Sequence, residues 1–234
     1  MNFRKIYCIA AMALMCCTGS MFTSCDDYLD VDSYFDEIFE LDSVFKRKEY
    51  LEEYINGAGK LLPNEGDLWT NAWSPYQGAS DENFTSWNDS RHKAIQLMVD
   101  EVTPQSDFYN NYGTWYKGIR KANLVLERIN ECEDITTSDL RDFMGRCYFL
   151  RAYFYFELVK RYGGVPLMGD DVHILGDDME IPRNTFEQCV QYICDELDDI
   201  KDDLRTNPMP DFEQYAHTPT REACLALKSR VLLY

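Results

Sequence analysis

Apolar positions recur at helical spacing through most of the chain, and five segments carry the pattern. Phe45, Leu51, Tyr54, Ile55, Ala58 and Leu62 share one stripe behind Asp42 or Ser43 as cap, with Pro63 after it, which predicts a helix over 43–62. Trp115, Ile119, Ala122, Leu126 and Ile129 predict a second over 114–131. A third, over 138–162, follows from Leu140, Phe143, Met144, Cys147, Leu150, Phe154 and Leu158, and it stops at Gly163-Gly164-Val165-Pro166, a strong terminator. That helix also carries Tyr148, Phe149, Tyr153, Tyr155 and Phe156, so aromatics lie on nearly every side around Arg151 and two of its faces must be covered. Thr185 and Gln188 form a capping box for a fourth helix over 184–205, where Phe186, Cys189, Val190, Ile193, Cys194, Leu197, Ile200 and Leu204 hold the period. Thr218-Pro219 opens the fifth, over 219–234, through Leu225, Leu227, Val231 and Leu232.

Strand signals are nearly absent, so the fold class is all-α. Consecutive antiparallel helices with short connections suggest a bundle or a helical-repeat superhelix, although no fixed repeat period is evident. Residues 63–113 differ in kind: they are rich in Gly, Pro, Asn, Ser and aromatics without a sustained period and read as long loops. A loop region of that length in a compact domain is either functional or contains elements, such as a short helix, that the pattern does not reveal. The last helix reaches Tyr234 with no Gly, Pro or polar break, from which we expect the sequence to be the N-terminal portion of a longer protein, truncated at the C-terminus, with one helix face left unpaired.

The chain begins with a charged and then apolar leader. Arg4 and Lys5 precede an apolar run from Ile6 to Cys17, too short to span a bilayer, which needs ~20 helical residues. Small residues and Ser24 then lead to Cys25, in the manner of a lipoprotein processing box. The expected organisation is a lipoprotein signal peptide over 1–24, a lipidated acidic tether over 25–41 beginning Cys25-Asp26-Asp27, and a helical domain from 42 to 234. Lipid on Cys25 would hold the protein on a membrane, and stable anchoring takes more than one chain.

Charge and motif content narrow the function. With 23 Lys and Arg against 41 Asp and Glu, the net charge is −18, and such a surface repels phosphate, which argues against a nucleic-acid partner. Hydrophobic residues at 45% and aromatics at 14% supply ample core despite the charge. Outside the leader and Cys25, the cysteines are Cys132, Cys147, Cys189, Cys194 and Cys224, an odd set that argues against a disulfide framework. Neither a metal site nor a cofactor site is signalled: there is no CxxC, no EF-hand spacing, no GxGxxG and no P-loop. None of the acid pairs Asp170-Asp171, Asp177-Asp178, Asp198-Asp199 and Asp202-Asp203 has an EF-hand spacing, and the latter two lie largely off the apolar stripe of the fourth helix and read as a solvated face; His92, His173 and His217 have no catalytic context.

The run Gly145-Arg146-Cys147-Tyr148-Phe149-Leu150-Arg151-Ala152-Tyr153-Phe154-Tyr155-Phe156-Glu157-Leu158-Val159-Lys160-Arg161-Tyr162-Gly163-Gly164-Val165-Pro166-Leu167 closely resembles the signature of the SusD/RagB family of nutrient-binding lipoproteins of Bacteroidota. Trp115-Tyr116, Ile119, Ala122-Asn123, the stretch Ala226 to Tyr234 and Cys25-Asp26-Asp27-Tyr28-Leu29 support the resemblance. Arg146 and Cys147 depart from it, since family members commonly have an acid and a small residue there. Members also run considerably further than this chain. The resemblance implies a tetratricopeptide-like helical scaffold that does no chemistry, sits lipid-anchored on the outer membrane, and passes oligosaccharide or another nutrient to a TonB-dependent, SusC-like transporter.

Candidate ligand residues cluster in the loop-rich stretch. Trp69, Trp73 and Trp87 lie there, and a sugar ring needs flat aromatic platforms beside hydrogen-bonding side chains. Trp87 with Asn88 and Asp89 supplies both, and Asp81-Glu82 followed by Phe84 and Trp87 is similar to the ligand-site pattern of starch-binding members, with Thr85 where a second aromatic is expected. The sequence-based ligand set is therefore Trp87, Asn88, Asp89, Asp81 and Trp73. Each loop Trp is either a platform or a plug in the core. Trp115 belongs to the core, and Arg151 is either a buried ion-pair or cation–π partner or a ligand contact. Two other classes stay open: a lipid-anchored glycosidase using two carboxylates, and a scaffold or adhesion module with no ligand site.

Overall fold

All five stripes become helices. The computed structural model describes residues 42–63, 111–174, 176–206 and 218–234. We number the helices α1 (Lys48–Gly59), α2 (Tyr112–Arg128), α3 (Thr137–Tyr162), α4 (Phe186–Ile200) and α5 (Arg221–Val231), with one 3-10 turn, Ile129–Glu131, extending α2. The described residues contain no strand, only an isolated parallel bridge between Arg205 and Thr220. Two units divide the chain, Met1–Val44 and Phe45–Tyr234, and the described part of the first is a helical turn at 42–44. All five helices lie in the second.

The aromatic excess of α3 is explained by its central position. Helices α2 and α4 both pack along it, α1 rests on α2 and α3, and α5 lies on α4 with a smaller contact to α3. Ala152, Phe154, Tyr155, Phe156 and Leu158 are each at most 1% exposed, and within that stretch only Tyr153 keeps partial exposure. Complete burial of each large apolar side chain contributes about 1.5–3 kcal/mol. Close approach to α2 depends on Gly118, where a Cβ would stand 2.4 Å from the Phe154 ring. Trp115 is in the core as expected, 1% exposed, with the Arg161 guanidinium 4.7 Å from its ring.

Helix ends show where local patterns were overruled. Neither Asp42 nor Ser43 caps α1: the helix starts after Arg47, which makes no side-chain cap, because the chain first turns to seat Phe45 at 0% exposure against Tyr54 and Arg128. The cap of α5 is Thr220 rather than Thr218, its side chain accepting from the Ala223 amide, since residue 220 first pairs with Arg205. Helix α4 ends at Ile200, five residues short of expectation, and the turn at 201–203 returns Leu204 to the core against Gly145. The capping box at Thr185 and Gln188 is formed as read from the sequence. Gly163 ends α3 with φ +70°, in the left-handed region that favours glycine. All five described cysteines are free and buried.

Candidate functional site

After α3 the chain crosses the helices as an irregular strap, residues 163–174, held at nearly every step. Gly164 has no room for a Cβ, which would fall 2.1 Å from the Asn184 carbonyl oxygen. Val165 accepts from the Asn184 amide at 3.1 Å, and Leu167 donates back to Asn184 Oδ1 at 3.1 Å. Tyr116 on α2 donates its hydroxyl to the Pro166 carbonyl at 2.7 Å, and the Met168 amide donates to Tyr155 on α3 at 2.9 Å. Asn123, 1% exposed, uses its amide nitrogen on the carbonyls of Gly169 and Asp171 at 2.9 and 3.0 Å. Farther along, Arg120 Nε reaches the His173 carbonyl at 3.4 Å.

Arg151 is the node beneath this strap. Its guanidinium donates to Asn123 Oδ1 at 2.8 Å, to the Gly169 carbonyl at 2.9 Å, to Asp170 at 2.7 Å and to both oxygens of Glu196 on α4. Tyr148 and Tyr192 lie under it with ring centroids 4.9 and 5.9 Å from the guanidinium carbon. At 2% exposure Arg151 is thus the buried ion-pair and cation–π partner of the two readings, joining α2, α3, α4 and the strap. Burial pushes the Glu196 carboxyl above its ordinary range, against the opposing pull of Arg151. It also raises the hydroxyls of Tyr148, Tyr155 and Tyr192, which therefore stay protonated at neutral pH.

Two cavities border the strap. The first, about 410 Å³, is polar and bordered by Tyr148, Tyr192, Asp170, Glu196, Asp199 and Asp203 around Arg151. The second, about 220 Å³, lies against α2, with Tyr116, Ile119, Met168 and Met179 forming an apolar wall below Lys117 and Arg120. Among the described residues no group of three His, Cys, Asp or Glu side chains is placed to hold a metal ion. Of the acid pairs, Asp170, Asp171, Asp177, Asp178, Asp199, Asp202 and Asp203 are exposed, which for Asp199, Asp202 and Asp203 is the solvated face expected. Asp198 is half-buried and pairs with Lys201 and with Lys228 of α5, and Asp170, although exposed, pairs with Arg151.

Cys25, Trp73, Asp81, Trp87, Asn88 and Asp89, together with Trp69 and the loop-rich stretch over 64–110, lie outside the described residues. Apart from Arg151, the described cavities are lined by residues given no ligand role in the sequence reading, among them Tyr116, Lys117, Arg120, Tyr192 and Glu196. One signal was available for the node, since Asn123 is a polar residue within the apolar face of α2.

The fold and sequence have known relatives. A SusD-like protein of Formosa agariphila is 26% identical over 154 residues, which cover 65% of this chain and 29% of that protein. The crystal structure of a SusD-like protein from Bacteroides fragilis superposes with a TM-score of 0.70 at 30% identity, over 82% of this chain and 36% of the other. A laminarin-binding SusD-like protein superposes with a TM-score of 0.68 at 18% identity, over 81% of this chain and 40% of the other. The chain thus spans between a quarter and a half of the length of these relatives. The sequence model of one family, SusD-like, described as starch-binding and associating with the outer membrane, matches residues 27–233. With nearly the whole chain inside that match, and with the central helix and strap formed by the residues that carry the resemblance, the chain belongs to the SusD-like family.

Proposed function

We propose that this protein is a non-catalytic, cell-surface glycan receptor that captures oligosaccharide and delivers it to a TonB-dependent, SusC-like transporter in the outer membrane. The family match over residues 27–233, with its description as starch-binding and associating with the outer membrane, carries this reading. The laminarin-binding relative supports it. Lipid on Cys25 holds the protein to the membrane. Trp87 and Trp73 present platforms to the CH faces of sugar rings, while Asn88, Asp89 and Asp81 hydrogen-bond the hydroxyls.

Affinity electrophoresis of the full-length protein through gels containing a panel of polysaccharides tests this. Retardation by at least one glycan is expected, with most of it lost in Trp87→Ala. Free migration in every gel, together with no barrel protein recovered with the receptor from solubilised outer membrane, would overturn it.

A further inference from the structure

The smaller cavity is set apart by charge. In a chain of net charge −18, α2 carries Lys117, Arg120, Lys121 and Arg128 against one acid, Glu127. Two of these cations are engaged elsewhere: Lys121 Nζ stands 4.1 Å from the Tyr54 ring centroid, and Arg128 pairs with Glu131 and covers Phe45. The other two border the cavity. Lys117 is exposed and forms no ion pair or hydrogen bond with a described residue, and among the described residues Arg120 commits only Nε, to the His173 carbonyl.

Beneath this pair the wall is apolar. Tyr116 is fixed by its hydroxyl on Pro166, by Tyr112 at 4.8 Å between centroids, and by Tyr155 edge-on at 6.4 Å. Met179, 56% exposed, adds apolar surface that folding leaves uncovered. The space, about 220 Å³, is smaller than the ~300–1,000 Å³ of pockets for drug-sized ligands and suits one ring rather than a chain. An occupant that fits has a flat CH face and an anionic group on its rim, and the planar fork of arginine favours a carboxylate. Asp171, also at the border, can accept from hydroxyls. The polar cavity over Arg151 does not suit such an occupant: its tyrosine rings already face the guanidinium, and Asp170, Glu196, Asp199 and Asp203 outnumber its one cation, whereas the cavity against α2 has two cations to one acid.

We propose that the cavity against α2 is a subsite for a uronic acid unit of the glycan, with the sugar ring on Tyr116 and Met179 and its carboxylate on Lys117 and Arg120. This rests on the glycan-binding reading above and adds to it the class of sugar. The full-length protein is run in gels containing polygalacturonate, its carboxyl-reduced neutral form, or a sulfated galactan, and affinity is measured by calorimetry. Polygalacturonate is expected to bind more tightly than the reduced polymer, with about tenfold weakening in Lys117→Glu and a difference that shrinks as salt rises. Met179→Asp is expected to weaken binding of both polymers. Lys117 and Met179 are exposed, so unchanged thermal melts of the variants separate lost binding from lost fold. Equal affinity for the carboxylated and reduced polymers, preference for the sulfated galactan, or an unaffected Lys117→Glu variant would each overturn the proposal. If neutral glycans bind and polygalacturonate does not, the receptor reading stands and the uronic subsite falls. Failure to bind any of the three polymers removes the uronic subsite, and the receptor reading then turns on the wider panel and the recovery of a barrel protein.

Discussion

A cation almost out of contact with water has to be fully compensated, and Arg151 is, by two carboxylates, two oxygen acceptors and two aromatic rings. Replacing it with methionine leaves Glu196 buried without its partner, a loss expected to cost roughly 3–5 kcal/mol at neutral pH. Glu196 gives this cost a pH dependence of definite sign. A carboxyl whose folded pKa lies above its unfolded value favours folding in acid and loses that contribution as pH rises through the folded value. Without the downward pull of Arg151 the folded value climbs further, so the deficit of Arg151→Met relative to the parent is expected to shrink as pH falls from neutral toward the ordinary value of 4.5. Thermal melts of both proteins across that range check this, and a constant deficit would contradict it. Cys147 provides the alkaline counterpart. Full burial pushes its thiol from 9.0 up to about 12, so its contribution is intact below the unfolded value and is lost as pH rises through the folded one. Burial raises Cys224 to about 11 in the same sense. The melting temperature is expected to fall across this alkaline interval. A thiol reagent at neutral pH is expected to leave all five described cysteines unmodified until the protein unfolds.

Among the elements, helix existence was legible in the sequence and helix ends less so. Where a boundary is set by local chemistry the reading held, as in the capping box at Thr185 and Gln188 and the glycine stop at Gly163. Boundaries moved where a distant contact decided them: Phe45 needed a core position, and Thr220 bridges to Arg205 before α5 begins. The same division explains the site. Arg151 announces itself as a cation among aromatics, but Glu196 and Asp170 are unremarkable acids until packing brings them to it from α4 and the strap. Lys117 and Arg120 likewise look like the solvated face of an amphipathic helix until Met168 and Met179 arrive from another part of the chain. Two substitutions test the element-level account. Thr185→Ala removes the side-chain half of the capping box and is expected to lower stability by about 1 kcal/mol. Gly118→Ala forces a methyl to within 2.4 Å of the Phe154 ring and is expected to cost about 1–3 kcal/mol, although alanine favours helices. Denaturant melts rank the two, and a Gly118→Ala variant as stable as the parent would mean that α2 and α3 do not meet as described.

For the whole molecule, the strongly negative charge and the apolar run from Ile6 to Cys17 bear on location rather than shape. An acidic chain has no electrostatic attraction to anionic lipid headgroups, so association with a membrane has to come from hydrophobic insertion. Among the described residues no helix is long and apolar enough to cross a bilayer. The proposal that Cys25 carries lipid therefore makes a demanding prediction. In cells fed an alkyne analogue of palmitate, the native protein is expected to take up the label and to partition into the detergent phase after phase separation. Cys25→Ala is expected to take up none and to move to the aqueous phase, since each acyl chain lost removes ~0.8 kcal/mol per buried methylene. Label retained in Cys25→Ala would place the lipid elsewhere. An unlabelled native protein in the aqueous phase would remove the anchor, and the outer-membrane association described for the family would then need another physical means in this protein.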